Sequence, residues 1–142
     1  VLVAEDGLEV MIAGWSRGRA CAPHDHGPGQ GAVRVLQGRA RHRGFVLEAG
    51  ELRAGEDEVL EAGAVLRCPR GWIHQMQDEA GERPLVTLHL YAGTTVPTTV
   101  YDLERRCTQW IGAGGGAWPR SQNDPEVLRW AEGLVPPSEP QG

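Results

Sequence analysis

Short runs in which apolar and polar residues alternate recur along the chain, and a period of two predicts strands rather than helices. Leu8-Glu-Val-Met-Ile-Ala13 is the clearest early run. Ala32-Val-Arg-Val-Leu36 and Arg39-Ala-Arg-His-Arg43 follow, punctuated by Gly38. Similar runs come at Glu58–Glu61, Ala64–Arg67, Trp72–Gln75, Leu85–Tyr91 and Thr98–Tyr101, most of them bounded by Gly, Pro or acidic turn residues. Strands repeated every 8 to 12 residues or so predict an all-β sandwich or barrel. The end of the chain reads differently. Asp124-Pro-Glu-Val-Leu-Arg-Trp-Ala-Glu132 has a capping residue, a proline at the first helical position and Gly133 as a stop, which predicts a short C-terminal helix. Val135–Gly142, with its Pro-Pro-Ser-Glu-Pro, is expected to be a flexible tail. Val1-Leu-Val already reads as the interior of a strand, so residues are expected upstream.

At 142 residues the chain predicts one domain, residues 1–134, followed by the tail. All 14 cationic residues are arginine and the formal net charge is -5, a balance that argues against a phosphate-binding surface. Cys21, Cys68 and Cys107 are odd in number and form no CxxC pair, so a disulfide framework is not expected and a reducing cytoplasm is. No apolar run approaches the roughly 20 residues of a membrane span.

Two of the chain's five histidines lie one residue apart in Gly18-Arg-Ala-Cys-Ala-Pro-His24-Asp-His26-Gly. They belong to a spaced pattern: Gly18, five residues, His24-x-His26, four residues, Gly31, six residues, Gly38. A second pattern runs Gly63, five residues, Pro69-x-Gly71, two residues, His74, three residues, Asp78. Residues two apart on a strand share a face, so His24 and His26 can both enter a barrel while Asp25 points away. His74, on a later strand, can close the third corner. Three imidazoles at an open site suit Fe(II), Mn, Ni, Cu or Zn. The remaining run of interest, Thr87-Leu-His89-Leu-Tyr91, puts a hydroxyl, an imidazole and a phenol on one face, where they can form a hydrogen-bonded relay.

The paired motifs together resemble those of the cupin superfamily, which implies a single-domain, jelly-roll-like cupin barrel. The position that often supplies a fourth, carboxylate ligand in cupins is Gly31 here. That departure, with Thr87-x-His89-x-Tyr91 in place of a Ser-x-His-x-Tyr strand, narrows the resemblance to the thiol dioxygenases, closest to bacterial cysteine dioxygenase. The resemblance runs from about Trp15 to Tyr91, and more loosely to Tyr101-Asp102. It implies Fe(II) held by His24, His26 and His74, a catalytic row of Thr87, His89 and Tyr91, and oxidation of a small thiol to its sulfinic acid by dioxygen. L-Cysteine is the leading expected substrate, with 3-mercaptopropionate or another small thiol next. With Gly31 in place of the cysteine of animal members, the cysteine–tyrosine cross-link of those proteins cannot form.

The family's arginine for the substrate carboxylate would fall just before Val1, which leaves that role unassigned. Arg17, Arg19, Arg34, Arg70 and Gln30 are weak alternatives, and surface solvation is the simpler reading of each arginine. Trp15 sits where the family has a tryptophan, and a core aromatic is its simplest reading; Cys21 and Cys68 read as small buried residues. His42, in a run of arginines, has no motif partner and is expected to play no part in metal binding. The expected partners are a small-molecule thiol and dioxygen, without nucleic acid or membrane, in a monomer or small homo-oligomer. Two other classes share the barrel: metal-dependent cupin isomerases, which usually retain the carboxylate ligand, and non-catalytic ligand-binding cupins, which need no Thr87-His89-Tyr91 row.

Overall fold

A computed structural model describes residues 1–93, 96–113 and 115–137. Twelve strands form two antiparallel sheets, and no helix occurs among the described residues. The strands are β1 (Val3–Glu5), β2 (Leu8–Gly14), β3 (His24–Asp25), β4 (Gln30–Gln37), β5 (Arg39–Glu48) and β6 (Glu51–Glu61). They continue with β7 (Val65–Cys68), β8 (Ile73–Asp78), β9 (Val86–Ala92), β10 (Thr98–Asp102), β11 (Cys107–Ile111) and β12 (Val127–Glu132). One sheet has the order β1-β2-β9-β4-β7 and the other β12-β11-β10-β3-β8-β5-β6. This is the all-β, jelly-roll arrangement that the alternating runs predict.

Alternation explains what faces inward. Along β4, Val33 and Val35 are buried while Arg34 and Leu36 are exposed. Along β5 the arginines of Arg39-Ala-Arg-His-Arg-Gly point outward to ion pairs on β6: Arg39 to Glu61 at 3.2 Å and Arg41 to Asp57 at 2.9 Å. Ala40 and His42 are thereby turned into the core, each 0% exposed. Cys21, Val33, Val35, Ala40, Leu66, Cys68, Met76 and Leu85 make the main buried cluster, with Trp15, Trp72 and Trp118 packed against it. Gly38 turns β4 into β5 at φ 79°, a left-handed conformation that costs a glycine little; an added Cβ would meet the Pro84 carbonyl oxygen at 2.8 Å.

One expectation is corrected here. The segment expected as a C-terminal helix is strand β12, paired antiparallel with β11 from Cys107↔Glu132 to Ile111↔Val127. Asp124-Pro125 acts as a turn instead of a helix start: Asp124 Oδ1 accepts from the Glu126 N–H at 2.9 Å and its carbonyl from Val127 at 2.9 Å. A helix of so few residues is marginal by itself, and the free edge of β11 offers ladder bonds and ring contacts that a helix would forgo. Arg129 lies over the Trp110 ring at 4.5 Å and Arg105 over Trp130 at 5.4 Å. At the start, β1 is assigned from Val3, and the Leu2 N–H continues its ladder onto the Val10 carbonyl at 2.7 Å. The tail expected over Val135–Gly142 lies outside the described residues from 138 onward, and its first residue is tied down by a Val135 N–H to Thr108 Oγ1 bond of 3.0 Å.

Candidate metal centre and its hydrogen-bonded row

His24 on β3 pairs in register with His74 on β8, which sets the two rings side by side on the inner face of one sheet. His26 follows just beyond β3, and Asp25 between them turns to the opposite face, into a second cavity with Tyr101. The three imidazoles offer ligand nitrogens that all lie within 4.8 Å of one another. His26 Nε2 and His74 Nε2 are 3.1 Å apart, close enough for both lone pairs to converge on one ion at about 2.1 Å. The expected trio therefore comes together.

Their other nitrogens are occupied in a way that frees these lone pairs. His24 Nδ1–H donates to the Ala22 carbonyl at 2.8 Å, leaving Nε2 proton-free. His74 Nδ1 lies 3.1 Å from His42 Nε2; with the shared proton on His74 Nδ1, His42 accepts and the outward nitrogen of His74 is again bare. His42 Nδ1 in turn points to Glu58 Oε1 at 3.8 Å. Trp72 stacks on His74 at 5.4 Å and 13°, in space that Gly44 leaves open: a Cβ there would stand 3.2 Å from Trp72 Nε1. His42 is not among the three candidate ligands, as expected, but it stands directly behind one of them, a contact the sequence reading did not foresee. The signal was present in Arg-Ala-Arg-His-Arg-Gly, where the period of two puts His42 on the same side as Ala40 and Gly44. Burial keeps all these rings neutral, pushing His24 and His42 down to about 4, and His26, with the help of its charged-form neighbours His24 and His89, down to about 2. Neutral imidazole is the form that binds a metal.

The inner face of the other sheet carries the row. Trp15 Nε1–H donates to Thr87 Oγ1 at 2.9 Å, Thr87 Oγ1 lies 2.7 Å from His89 Nε2, and His89 Nδ1 lies 2.9 Å from the Tyr91 hydroxyl. An indole N–H can only donate, and His89 Nε2 is an acceptor within reach of the Thr87 proton, so the row has one direction in which every proton is used. Thr87 accepts from Trp15 and spends its own proton on His89 Nε2. His89 is therefore protonated at Nδ1, donates to the phenol oxygen, and leaves the Tyr91 O–H free to donate into the cavity. Trp15, read from sequence as a core aromatic, begins this chain. The Tyr91 ring packs at 4.4 Å from His26, and burial raises its pKa so that the phenol keeps its proton.

Registers across this sheet place Tyr91 between Glu9 on β2 and Gly31 on β4, with Cys68 beyond Gly31. A Cβ on Gly31 would collide with the Leu90 carbonyl oxygen and come within 2.5 Å of Tyr91 Cδ1. No side chain fits at this position, so neither a fourth ligand nor a cross-linking cysteine has room. Cys21 and Cys68 are buried thiols whose pKa burial raises to about 11 and about 12; both stay protonated and fit their reading as small core residues. A cavity of about 680 Å³ opens onto the three metal-site histidines, with Met11, Ala13 and Met76 among its apolar walls. Arg19 reaches its mouth, over the Trp118 ring at 4.6 Å. Arg17, Arg34, Arg70 and Gln30 are exposed and do not line it.

The sequence model of the family Cysteine dioxygenase type I matches residues 1–106 of the chain. The chain belongs to that family. Among solved structures it is similar to an uncharacterized conserved protein with a double-stranded β-helix domain from Klebsiella pneumoniae, at 22% identity and TM-score 0.55 over 68% of this chain and 72% of that one. KdgF from a Halomonas species matches at 22% identity and TM-score 0.52, over 64% of this chain and 74% of that one. The cupin domain of Cnp3 from Schizosaccharomyces pombe matches at 14% identity and TM-score 0.53, over 67% of this chain and 59% of that one. At these identities the likeness establishes the cupin-type fold.

Proposed function

We propose that this protein is a thiol dioxygenase that uses Fe(II) held by His24, His26 and His74 and converts a small thiol, with L-cysteine leading and 3-mercaptopropionate next, to its sulfinic acid. The observation that carries this reading is the pairing of a three-imidazole, carboxylate-free centre with a phenol donor whose proton is aimed beside it by the Trp15-Thr87-His89 row. Family membership supports the same reading.

Three neutral ligands leave a divalent ion its full charge, which favours an anionic, soft thiolate. When bound, ferrous iron supplies one coordination sphere in which a thiolate and dioxygen meet, and the overall change, R–SH + O₂ → R–SO₂H, takes both oxygen atoms and all its oxidising equivalents from dioxygen. The chain's own part is to hold and to position. Ala22 and His42 fix which nitrogen of His24 and His74 is bare. His89 fixes the Tyr91 phenol, whose O–H donates to negative charge on sulfur or oxygen as it develops. Met11, Ala13 and Met76 present apolar surface that excludes water from the reacting groups.

Metal analysis of purified protein with oxygen uptake across L-cysteine, 3-mercaptopropionate and cysteamine tests the reading. Iron and thiol-dependent uptake are expected, with iron lost in His24→Ala, His26→Ala and His74→Ala. Stoichiometric zinc in protein made under iron-rich conditions, with no uptake, would instead indicate an isomerase-like or ligand-binding cupin.

A further inference from the structure

His24 and His26 face the metal-site cavity, and alternation sends the residue between them to the other side of the sheet. There Asp25 and Tyr101 line a second cavity of about 460 Å³, whose apolar walls include Phe45, Leu47, Trp72, Ile73 and Leu134. Both polar residues are withdrawn from solvent, Asp25 at 1% and Tyr101 at 0% exposure. Each still has an atom without a hydrogen-bond partner among the described residues, Asp25 Oδ2 and the Tyr101 hydroxyl. Buried polar atoms are nearly always paired, so two orphans on one cavity point to a group that enters it.

The chemistry of that group follows from what surrounds it. Asp25 Oδ1 already accepts from the Gly27 N–H at 2.8 Å, which leaves Oδ2 as the free end of the carboxyl group. Burial, helped by the charge of Asp25, keeps the proton on the Tyr101 phenol. Among the described residues no cationic side chain lines the cavity. An ammonium group has three N–H bonds and a positive charge, so it can donate to the carboxylate and to the phenol oxygen together. An alcohol has one proton to give, and an anion meets like charge. The walls suit an apolar body, and the volume lies in the range of small-molecule sites.

The cavity reaches the metal histidines at two points. Asp25 is the chain neighbour of both His24 and His26, and its Oδ1 holds the N–H that follows His26. Trp72, from the wall, stacks on His74 at 5.4 Å and 13°. We propose that this second cavity is an effector site for a primary amine with a small apolar body, its ammonium group held by Asp25 and Tyr101 and its presence felt at the metal centre through Asp25 and Trp72. The coupling rests on metal binding by His24, His26 and His74; the amine site itself does not.

The test uses the full chain and three probes of similar shape: benzylamine, benzyl alcohol and phenylacetate. Titrations of the metal-free protein followed by NMR should show saturable binding of benzylamine, with ring-to-methyl NOEs to Ile73 and Leu134. Benzyl alcohol should bind at least about 10-fold more weakly and phenylacetate not at all. Asp25→Asn, which retains an acceptor for Gly27, should bring benzylamine to the level of the alcohol. Tyr101→Phe should weaken benzylamine several-fold while keeping its preference over the alcohol, and it serves alone if Asp25→Asn does not fold. Equal binding of amine and alcohol, no saturation, or NOEs to Met11 and Met76 in the metal-site cavity would overturn the site. Saturating benzylamine should also shift iron affinity several-fold in chelator competition, and iron should shift the benzylamine Kd by the same factor. Amine binding at Ile73 and Leu134 with unchanged iron affinity would uphold the site and overturn the coupling.

Discussion

Tyr91 is useful only as a donor held in one orientation, and three residues outside the cavity chemistry secure that: Trp15, Thr87 and His89. Tyr91→Phe should therefore keep its iron and fold and lose about 10- to 100-fold in kcat, the scale of one oriented donor. His89→Ala should lose a similar factor. Trp15→Phe tests the polarity itself. Without the indole donor the Thr87 hydroxyl is no longer held with its proton toward His89 Nε2, the imidazole tautomer can reverse, and Tyr91 then donates back into the row. The expected result is a loss of rate with little change in KM; unchanged kcat would return Trp15 to core packing. His42 belongs to the same scale. Because its Nε2 lies 3.1 Å from His74 Nδ1 and can accept its proton, His42→Ala should weaken iron binding about 10- to 100-fold, measured by competition with a chelator, and His42→Gln, which retains an acceptor, should recover part of it.

Among the elements, β4 and β9 approach so closely at Gly31 and Tyr91 that the ladder itself depends on a missing side chain. Gly31→Ala should force the strands apart, cost about 1–3 kcal/mol and lower Tm by several degrees, with Tyr91 displaced and turnover reduced more than iron content. How far elements could be read from sequence follows their exposure. Strands β2, β4, β5 and β9, each with an exposed and a covered face, announce themselves by alternation. Strand β11, Cys107–Ile111, is buried at every residue, so Cys-Thr-Gln-Trp-Ile shows no period. Strand β12 carries capping residues that serve a turn as well as a helix, and only its pairing with β11 decides between them. The metal trio was legible because a motif fixes its spacing. His42 was not, because it joins the site through cross-strand register, which a single sequence does not display.

At the scale of the whole molecule, the five histidines of the chain gather in one region between the two sheets: three at the metal centre, one behind His74, one behind Tyr91. That concentration of buried neutral imidazole has a thermodynamic consequence. His24, His42 and His89 each have their pKa pushed by burial from an ordinary 6.5 to about 4. Between those limits the unfolded chain takes up protons that the folded chain refuses, so acid favours unfolding. Each group contributes stability that is present above pH 6.5 and lost as pH falls toward 4, with a slope of up to about 1.4 kcal/mol per pH unit. The denaturant midpoint of the metal-free protein should accordingly fall steeply over this window, and more shallowly in His89→Gln. An ion held by His24, His26 and His74 would bind only the folded form, so loading the proposed iron at pH 7.5 should raise the midpoint. That increment should shrink on acidification, because protons compete for the same three nitrogens. An increment constant from pH 7.5 to 5 would mean that iron is held by groups other than His24, His26 and His74.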